Sequence, residues 1–420
     1  MTTFMKKLWQ DKRGNALIIA SGALPLLVGS VGLATDTVQW VTWKRQLQRA
    51  ADSAALAGVY ARFQGQGANT AVTRDLASNN HVWVPLSSGY PQVSEPTDTS
   101  AYTKQVEVSL AVQRSLTFSS MFMASAPVIR VTARAAAIDS GTFCVIAKET
   151  DPSEPGIIIQ GSAFVSMGCG MISNSPAASV SVDVIGGGHN VTAEPVAGVG
   201  GVENITGVTN EQSYHLAQPD PYENQHSTDI PDAAKPCKAN MAAGTVGGIV
   251  QPGCYNSFDP GDDTQLAPGV YYLNNATLDM QGNESITGTG VTLIFTGTDP
   301  GHLEMNGNSS LNLTAPTATT CGVFGGVNSC DYTNMLMIQS AAADIRNDNL
   351  INGNSDTQLD GVMYFPNAKL TFTGSSGPST KCAMIVGRVV HFSGSTNVQN
   401  NTTGCVADEK ATGKAIRLIA

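Results

Sequence analysis

The feature that most constrains this chain is an uncharged apolar stretch near its N-terminus. Residues 16–34 contain no Asp, Glu, Lys or Arg and run directly into an alanine-rich segment that continues to Gly58. As a helix, at roughly 1.5 Å per residue, the stretch is about 28 Å long, which is close to the ~30 Å hydrocarbon thickness of a bilayer. We therefore predict a membrane-spanning helix over residues 16–34, with Ala16 and Ala34 at its ends and Pro25 inside it.

Two other interpretations of this stretch fit less well. A cleaved secretory signal has an apolar region of only about 7 to 15 residues followed by a small-residue cleavage site, whereas Asp36, Trp40 and Trp43 follow here. A buried helix of a soluble protein rarely runs this far without charges. Trp40 and Trp43 suit an anchor, because Trp is enriched at membrane–water interfaces.

The cysteines indicate which side of the membrane the rest of the chain occupies. An even number confined to one region indicates disulfides formed in an oxidising compartment. Neighbours in sequence suggest the pairs 144/169, 237/254, 321/330 and 382/405, although spacing alone does not fix the connectivity. The N-terminus is then expected in the cytoplasm, and everything after residue 35 outside it. All eight cysteines follow residue 140: Cys144, Cys169, Cys237, Cys254, Cys321, Cys330, Cys382 and Cys405.

Charge divides the chain at the same place. Residues 1–140 carry 13 Lys and Arg against 8 Asp and Glu, a net charge of +5, whereas residues 141–420 carry 10 against 25, a net charge of −15. A basic part near lipid and an acidic part facing solvent is the simplest interpretation. No basic cluster of the kind that binds nucleic acid occurs, so we expect no nucleic-acid partner.

Residues 36–140 are predicted to form a stalk helix and a small α/β, pilin-like domain. Helical spacing continues from about residue 15 to residue 63. Residues 71–77 and 116–123 suggest short helices, and residues 106–112 and 128–138 suggest strands. Small side chains on the long helix permit close packing, either on a helix of another protein or on this protein's own following domain. This small-residue stripe consists of Leu47, Ala50, Ala51, Ala54, Ala57 and Gly58.

Several short blocks in this region carry a family resemblance. Arg13 to Leu17, Leu24 to Leu26, Gly32 to Asp36, and above all the block Leu47 to Gly58 resemble the N-terminal domain of TadE/TadG-like proteins of bacterial Tad (Flp) pilus systems. The resemblance covers about residues 1–140. It implies a single-pass protein of the bacterial inner membrane that acts in pilus assembly. Its implied partners are the lipid bilayer and other Tad pilus or secretion-platform membrane proteins.

The chain departs from related families at two points. Prepilin peptidase substrates carry Glu at the fifth position after the cleavage site, and counting from Asn15, the residue after Gly14, that position is Ile19. We therefore do not expect this processing. Many TadG-like proteins bear a von Willebrand A domain with an Asp-x-Ser-x-Ser metal motif, but the run from Asp151 to Pro155 lacks the second Ser. No metal site is predicted.

Residues 141–420 have the composition and repeats of a mostly-β domain. The segment beginning at Leu278 reappears 25 residues later at Leu303, and a looser pattern of alternating apolar residues followed by Gly ends at Gly161, Gly374 and Gly394. A period of 20–25 residues is the size of one coil in a solenoid of short strands. We predict a right-handed β-helix or solenoid-like domain, with a β-sandwich as the alternative.

The acidic domain contains carboxylates but no recognisable catalytic motif. Glycoside hydrolysis uses two carboxylates about 5 to 10 Å apart, and the neighbours Asp262/Asp263, Asp344/Asp348 and Asp356/Asp360 are candidates. In a domain with 25 acidic residues such neighbours arise by chance. We predict a non-enzymatic protein with no catalytic residues, no cofactor and no small-molecule substrate. The alternatives are a membrane-tethered polysaccharide-processing enzyme and an adhesin released by cleavage.

Overall fold

The computed structural model describes residues 14–78, 85–203, 205–224, 229–345, 348–352, 357–374, 379–402 and 411–419. The chain divides into two compact units. The first comprises Met1–Ile138 with Ala415–Ala420, and the second comprises Asp139–Lys414. A long apolar helix is thus followed by a large, mostly-β part in which most strand pairs are parallel.

Two α-helices lie in the described part of the first unit. Helix α1, Gly14–Phe63, runs for 50 residues and includes Pro25, and α2 is Ala68–Ser78. Helix α1 ends at Phe63, and Gly65 just beyond it has a φ of +69°, a left-handed conformation that glycine adopts at little cost. The Gln66 N–H donates to the Ala61 carbonyl at 2.8 Å and closes this glycine cap.

A small antiparallel sheet packs against α1 within the first unit. It contains β1 (Gln92–Ser94), β2 (Thr103–Gln113) and the start of β3 (Val128–Ala147), with β2 paired to both neighbours. The buried face of β2 includes Val106, Val108 and Leu110. These side chains share one hydrophobic core with the buried side chains of α1 and α2.

Besides the end of β3, the second unit contains many strands, of which the last, β28, belongs to it only as far as Lys414. In chain order they are β4 Ile157–Gln160, β5 Phe164–Ser166, β6 Gly170–Ser173, β7 Val182–Ile185, β8 Asn190–Val191, β9 Val196–Gly198, β10 Glu211–Gln212, β11 Thr245–Val246, β12 Ile249–Val250, β13 Gly253–Tyr255, β14 Thr264–Leu266, β15 Gly269–Asn274, β16 Leu278–Met280, β17 Ser285–Thr289, β18 Val291–Thr296, β19 Leu303–Met305, β20 Ser310–Thr314, β21 Val323–Phe324, β22 Val327–Asn328, β23 Met335–Gln339, β24 Asn349–Asn352, β25 Gln358–Thr373, β26 Ser379–Phe392, β27 Asn397–Asn401 and β28 Ala411–Ile419.

Most of these strands pair in three parallel ladders. The first ladder runs β13, β15, β18, β23, β25, β26, β3, β6, β9, β10. The second runs β12, β14, β17, β20, β25, β26, β27, β5, β8. The third runs β16, β19, β24, β25, β26, β4, β7. The long strands β25 and β26 belong to all three.

Residues that are one sequence repeat apart pair with each other in neighbouring strands. Leu278 pairs with Leu303 and Met280 with Met305, and each pair is separated by the 25-residue repeat. All four of these side chains are buried. At the corner that follows, Gly282 and Gly307 have φ values of +73° and +71°. The looser pattern stacks too, because Phe372 pairs with Phe392 and Phe392 with Ile159.

The strand order along the ladders differs from the order in the chain. The first strands of the second unit, β3, β4 and β5, pair with strands that come near the end of the chain, β26 and β27. In every ladder, therefore, the chain enters in the middle and continues towards one end. The strands from β12 onward then start at the other end and return to the middle.

The three ladders share one hydrophobic core. Buried side chains of all three meet in it, including Ile159, Tyr271, Met305, Phe365 and Phe392. Burial of this apolar surface supplies the main driving force for folding of the unit. A second cluster lies on the other face of the first ladder, where Tyr222, Ile230 and Ala234 cover residues such as Tyr364.

Three disulfides have the predicted connectivity. Cys144 is bonded to Cys169, Cys237 to Cys254, and Cys321 to Cys330. Cys382 is also disulfide-bonded. Its expected partner, Cys405, lies outside the described residues.

Candidate functional site

The first half of α1 exposes an apolar surface that water disfavours. Leu26, Leu27 and Val31 are 76%, 63% and 65% exposed, and the most apolar window of the helix is only 6% buried. A core helix of a soluble protein would be mostly buried instead. Each large apolar side chain left in water forgoes about 1.5–3 kcal/mol of burial free energy. In the described part of the chain, α1 is the one helix long and apolar enough to cross a membrane.

The residues predicted to hold the anchor are distributed along this helix. Ala16 lies in α1, although its side chain is outside the described part. Pro25 and Ala34 are exposed, and Trp40 and Trp43 are half-buried. Cations lie over both indole rings: Lys44 Nζ is 5.3 Å from the Trp40 ring centroid, and the Arg114 guanidinium is 4.4 Å from that of Trp43.

The small-residue stripe packs on this protein's own sheet. Leu47, Ala50, Ala51, Ala54 and Gly58 are buried, and Ala57 is half-buried. A Cβ added at Gly58 would lie 2.8 Å from Cγ1 of Val106 in β2, so this contact depends on glycine. Within the first unit, the stripe therefore joins helix to sheet rather than presenting a free surface.

Asp36 occupies a position that the sequence analysis did not identify as a site. Its side chain is 2% exposed. Its carboxylate accepts hydrogen bonds from the backbone N–H groups of Phe118 and Ser119 and from the Ser119 hydroxyl, the last at 2.6 Å. In the sequence, Asp36 stands out only as an acidic residue that follows an apolar run. That position indicates where the span ends but not which residues bind Asp36.

Two of the candidate carboxylates interact with a neighbouring side chain. Asp348 lies 3.6 Å from Lys369 Nζ. Asp263 accepts a hydrogen bond from Ser285 at 3.2 Å. Asp356, the expected partner of Asp360, lies outside the described residues. Within the described ranges, no group of three His, Cys, Asp or Glu side chains could hold a metal ion.

A cavity of about 290 Å³ lies beside Asp360. Among its described lining residues, Asp360 is the one carboxylate, and glycoside hydrolysis needs two. The Cys382 sulfur is held in a disulfide, which leaves it without a nucleophilic thiolate. The lining residues are Thr314, Ala315, Thr317, Asn334, Asp360, Gly361 and Cys382.

Buried charges cluster where β3 meets β26. Lys148 pairs with Asp220 at 2.5 Å, and Asp220 also accepts a hydrogen bond from the Tyr364 hydroxyl at 2.8 Å. Burial, together with this hydrogen bond and the negative charge of Asp220, raises the pKa of Tyr364. The phenol therefore stays protonated as a donor. Lys148 and Asp220 neutralise each other, which is the pattern of a structural clamp.

Part of the chain matches a known protein family. No curated protein matches the chain. Residues 14–62, which coincide with α1, match the family model described as putative Flp pilus-assembly TadE/G-like.

Proposed function

We propose that this protein is a non-enzymatic component of a bacterial Tad (Flp) pilus-assembly system. The observation that carries the proposal is the coincidence of the family match, residues 14–62, with α1. One half of this helix exposes apolar side chains, and the other half packs on a small sheet. Such a helix serves as a membrane anchor and as the base of a folded domain.

The proposed topology is a single pass through the inner membrane, with residues 16–34 in the bilayer. The N-terminus lies in the cytoplasm, and the second unit lies in the periplasm or at the cell surface. Three disulfides within the second unit support an oxidising compartment. The net charge of −15 on residues 141–420 suits a solvent-facing domain that repels anionic lipid.

The proposed architecture of the second unit is a β-solenoid. Three parallel ladders around one core and a register equal to the sequence repeat support it. Cysteines introduced at Asp279 and Glu304, a parallel pair one repeat apart, should cross-link on oxidation, whereas cysteines at Asp279 and Asn312 should not. Failure of the first pair to cross-link would contradict the register.

In this role the second unit presents a contact surface rather than a reaction centre. Its partners would be other pilus or secretion-platform proteins of the same system. The proposed absence of catalysis can be tested with Asp360→Asn and the double change Asp262→Asn/Asp263→Asn. Both variants should restore pili to a strain lacking the gene as well as the unchanged protein does. Loss of pili with normally folded Asp360→Asn protein would favour a polysaccharide-processing enzyme.

Two experiments test anchoring and pilus assembly separately. Alkaline phosphatase fused after residue 140 should be active in a bacterium, and the same enzyme fused after residue 13 should be inactive. An inactive fusion after residue 140 would overturn the topology. Deleting the gene should abolish Flp pili, which the full chain should restore and a chain lacking residues 16–34 should not. Normal piliation in the deletion strain would overturn the assembly role.

A further inference from the structure

The connection between β2 and β3 carries no charge after its first residue, Arg114. Residues 115–127, here called the apolar loop, contain no Asp, Glu, Lys, Arg or His, and the nearest charged residues on either side are Arg114 and Arg130. An uncharged segment flanked by arginines is compatible with membrane contact, because the cations can pair with lipid phosphates.

The tip of the apolar loop exposes large hydrophobic side chains. Met121 and Phe122 are 75% and 76% exposed, and Met123 is 48% exposed. Three consecutive exposed apolar residues on a folded domain indicate an interaction site. Phe122 lies beside Phe118, with ring centroids 5.5 Å apart, so the tip has a fixed shape rather than a random one.

Six consecutive backbone N–H groups of the apolar loop, those of residues 118–123, have hydrogen-bond partners. The N–H groups of Ser120, Met121, Phe122 and Met123 donate to carbonyls within the loop at 2.9–3.1 Å. Those of Phe118 and Ser119 donate to Asp36. In hydrocarbon an unpaired backbone N–H costs several kcal/mol, because no water replaces the lost partner. Six successive N–H groups in this loop avoid that cost.

The loop is fixed to α1 and descends along it towards the proposed span. Arg114 lies over Trp43, the next contact is with Asp36, and the Phe118 ring lies against Gly32, where an added Cβ would collide with it. Gly32 belongs to the span of residues 16–34. At about 1.5 Å per residue, it lies roughly 6 Å deeper along the helix axis than Asp36.

We infer that the apolar loop is a second membrane-contacting element that inserts its tip into the lipid leaflet on the exported side. Met121, Phe122 and Met123 would enter the boundary between headgroups and acyl chains, a region about 5–10 Å deep that receives apolar side chains. Arg114 and Arg130 would face lipid phosphates. The inference rests on the membrane anchor proposed above and adds a second point of contact.

Lipid is the partner that fits the apolar loop, because the loop packs on the part of α1 that is proposed to lie in the bilayer. The apolar loop packs on α1 through Phe118 at Gly32. The residues on either side of Gly32, Val31 and Leu33, are 65% and 61% exposed. A bilayer that covers this helix face surrounds the adjoining loop too. Two contacts with one bilayer fix the tilt and rotation of the first unit, which a single helix leaves free.

Fluorescent probes on the full chain in lipid vesicles test the inference. A single nitrobenzoxadiazole probe is placed at Phe122→Cys, at Leu27→Cys as the anchor control, or at Phe63→Cys as the aqueous control. The vesicles contain phosphatidylethanolamine and phosphatidylglycerol with nitroxide groups on the acyl chains. We expect nitroxide quenching at Phe122 to be several-fold greater than at Phe63, and iodide quenching from the water phase to be several-fold weaker.

The three positions separate the possible outcomes. Quenching by nitroxide at Leu27 but by iodide at Phe122 would overturn the loop inference and leave the anchor intact. Protection of Phe122 from both quenchers would also overturn it, because the loop would then be covered by protein. Iodide quenching at Leu27 would overturn the anchor itself.

The variant Met121→Ser/Phe122→Ser/Met123→Ser should increase iodide quenching at a probe placed on Ser120→Cys, whereas Val246→Ser, an exposed apolar change in the second unit, should not.

Discussion

Arg388 donates a hydrogen bond to the carboxylate of Glu149, 239 residues earlier in the chain. Glu149 is 5% exposed and also accepts from the backbone N–H groups of Thr150 and Asp151, at 2.8 and 2.9 Å. The paired segments of β3 and β26 end at Ala147 and Gly387, so Glu149 follows its segment by two residues and Arg388 follows its segment directly. The ion pair therefore fastens the first strand of the second unit to one of its last.

Removing Arg388 should destabilise the second unit. The Arg388→Ala change leaves a buried carboxylate without its cation, which typically costs about 3 kcal/mol for a largely buried pair. Calorimetry of the full chain should show the transition of the β-rich unit at a lower temperature. Lys235→Ala is the matched control, because Lys235 pairs with Asp232 at the surface, where the expected loss is under about 1 kcal/mol. Equal losses in the two variants would contradict a stabilising role for the pair of Arg388 and Glu149.

Two glycines one repeat apart should respond differently to the same substitution. Gly282 and Gly307 both have left-handed φ values, so Ala at either position should cost about 1 kcal/mol of backbone strain. A Cβ at Gly307 would also lie 2.9 Å from the Gly282 backbone nitrogen, whereas a Cβ at Gly282 meets nothing within 4 Å. Denaturant unfolding should therefore show a larger loss for Gly307→Ala than for Gly282→Ala. Equal losses would indicate that the corners stack less closely than described.

The sequence predicted the features of the fold that depend on local residue patterns. Helix α1 was predicted from residue 15 to residue 63 and spans Gly14–Phe63, because its apolar and alanine-rich runs favour helix throughout. The repeat predicted stacked segments 25 residues apart, and Leu278 pairs with Leu303. Local cysteine spacing suggested three disulfides that the structure contains.

Features that depend on distant contacts were not predicted. No local pattern tells β3 to pair with β26, because a repeat defines strands but not their order. Residues 116–123 were predicted as a helix, but only a 3-10 turn at Ser119–Met121 forms. Asp36 accepts the N–H groups of Phe118 and Ser119 and fixes this segment as a turn against α1. Sequence periodicity could not reveal a partner 82 residues away.

The stability of the second unit should decrease as the pH falls from about 6.5 to about 4. Burial, and next the charge of Lys369, lower the pKa of His391 to about 4, with Asp348 opposing them. Between these pH values the unfolded chain binds a proton that the folded chain does not, so acid favours unfolding. Because the ring is partly exposed, we expect a loss on the order of 1 kcal/mol.

Two variants attribute this pH dependence to His391. His391→Gln retains a side chain able to hydrogen-bond Gln160, which lies 3.1 Å from the imidazole Nε2, and should flatten the dependence of melting temperature on pH in this range. Lys369→Gln removes one cause of the lowered pKa and should reduce the slope. An unchanged slope in both variants would assign the effect to other groups.

The contact between Gly32 and Phe118 should control whether the apolar loop stays against α1. A larger side chain at position 32 would occupy the space of the Phe118 ring, so Gly32→Leu should displace the loop, although it adds apolar surface to the helix. Gly29→Leu adds the same surface where no atom lies within 4 Å, and it is the matched control. Hydrogen exchange of the full chain in vesicles should be faster for the N–H groups of Phe118 and Ser119 in Gly32→Leu and unchanged in Gly29→Leu. The increase should be about tenfold if docking of the loop on α1 contributes roughly 1.4 kcal/mol. Unchanged exchange in Gly32→Leu would mean that Asp36 alone holds the loop, in which case Asp36→Ala should release it.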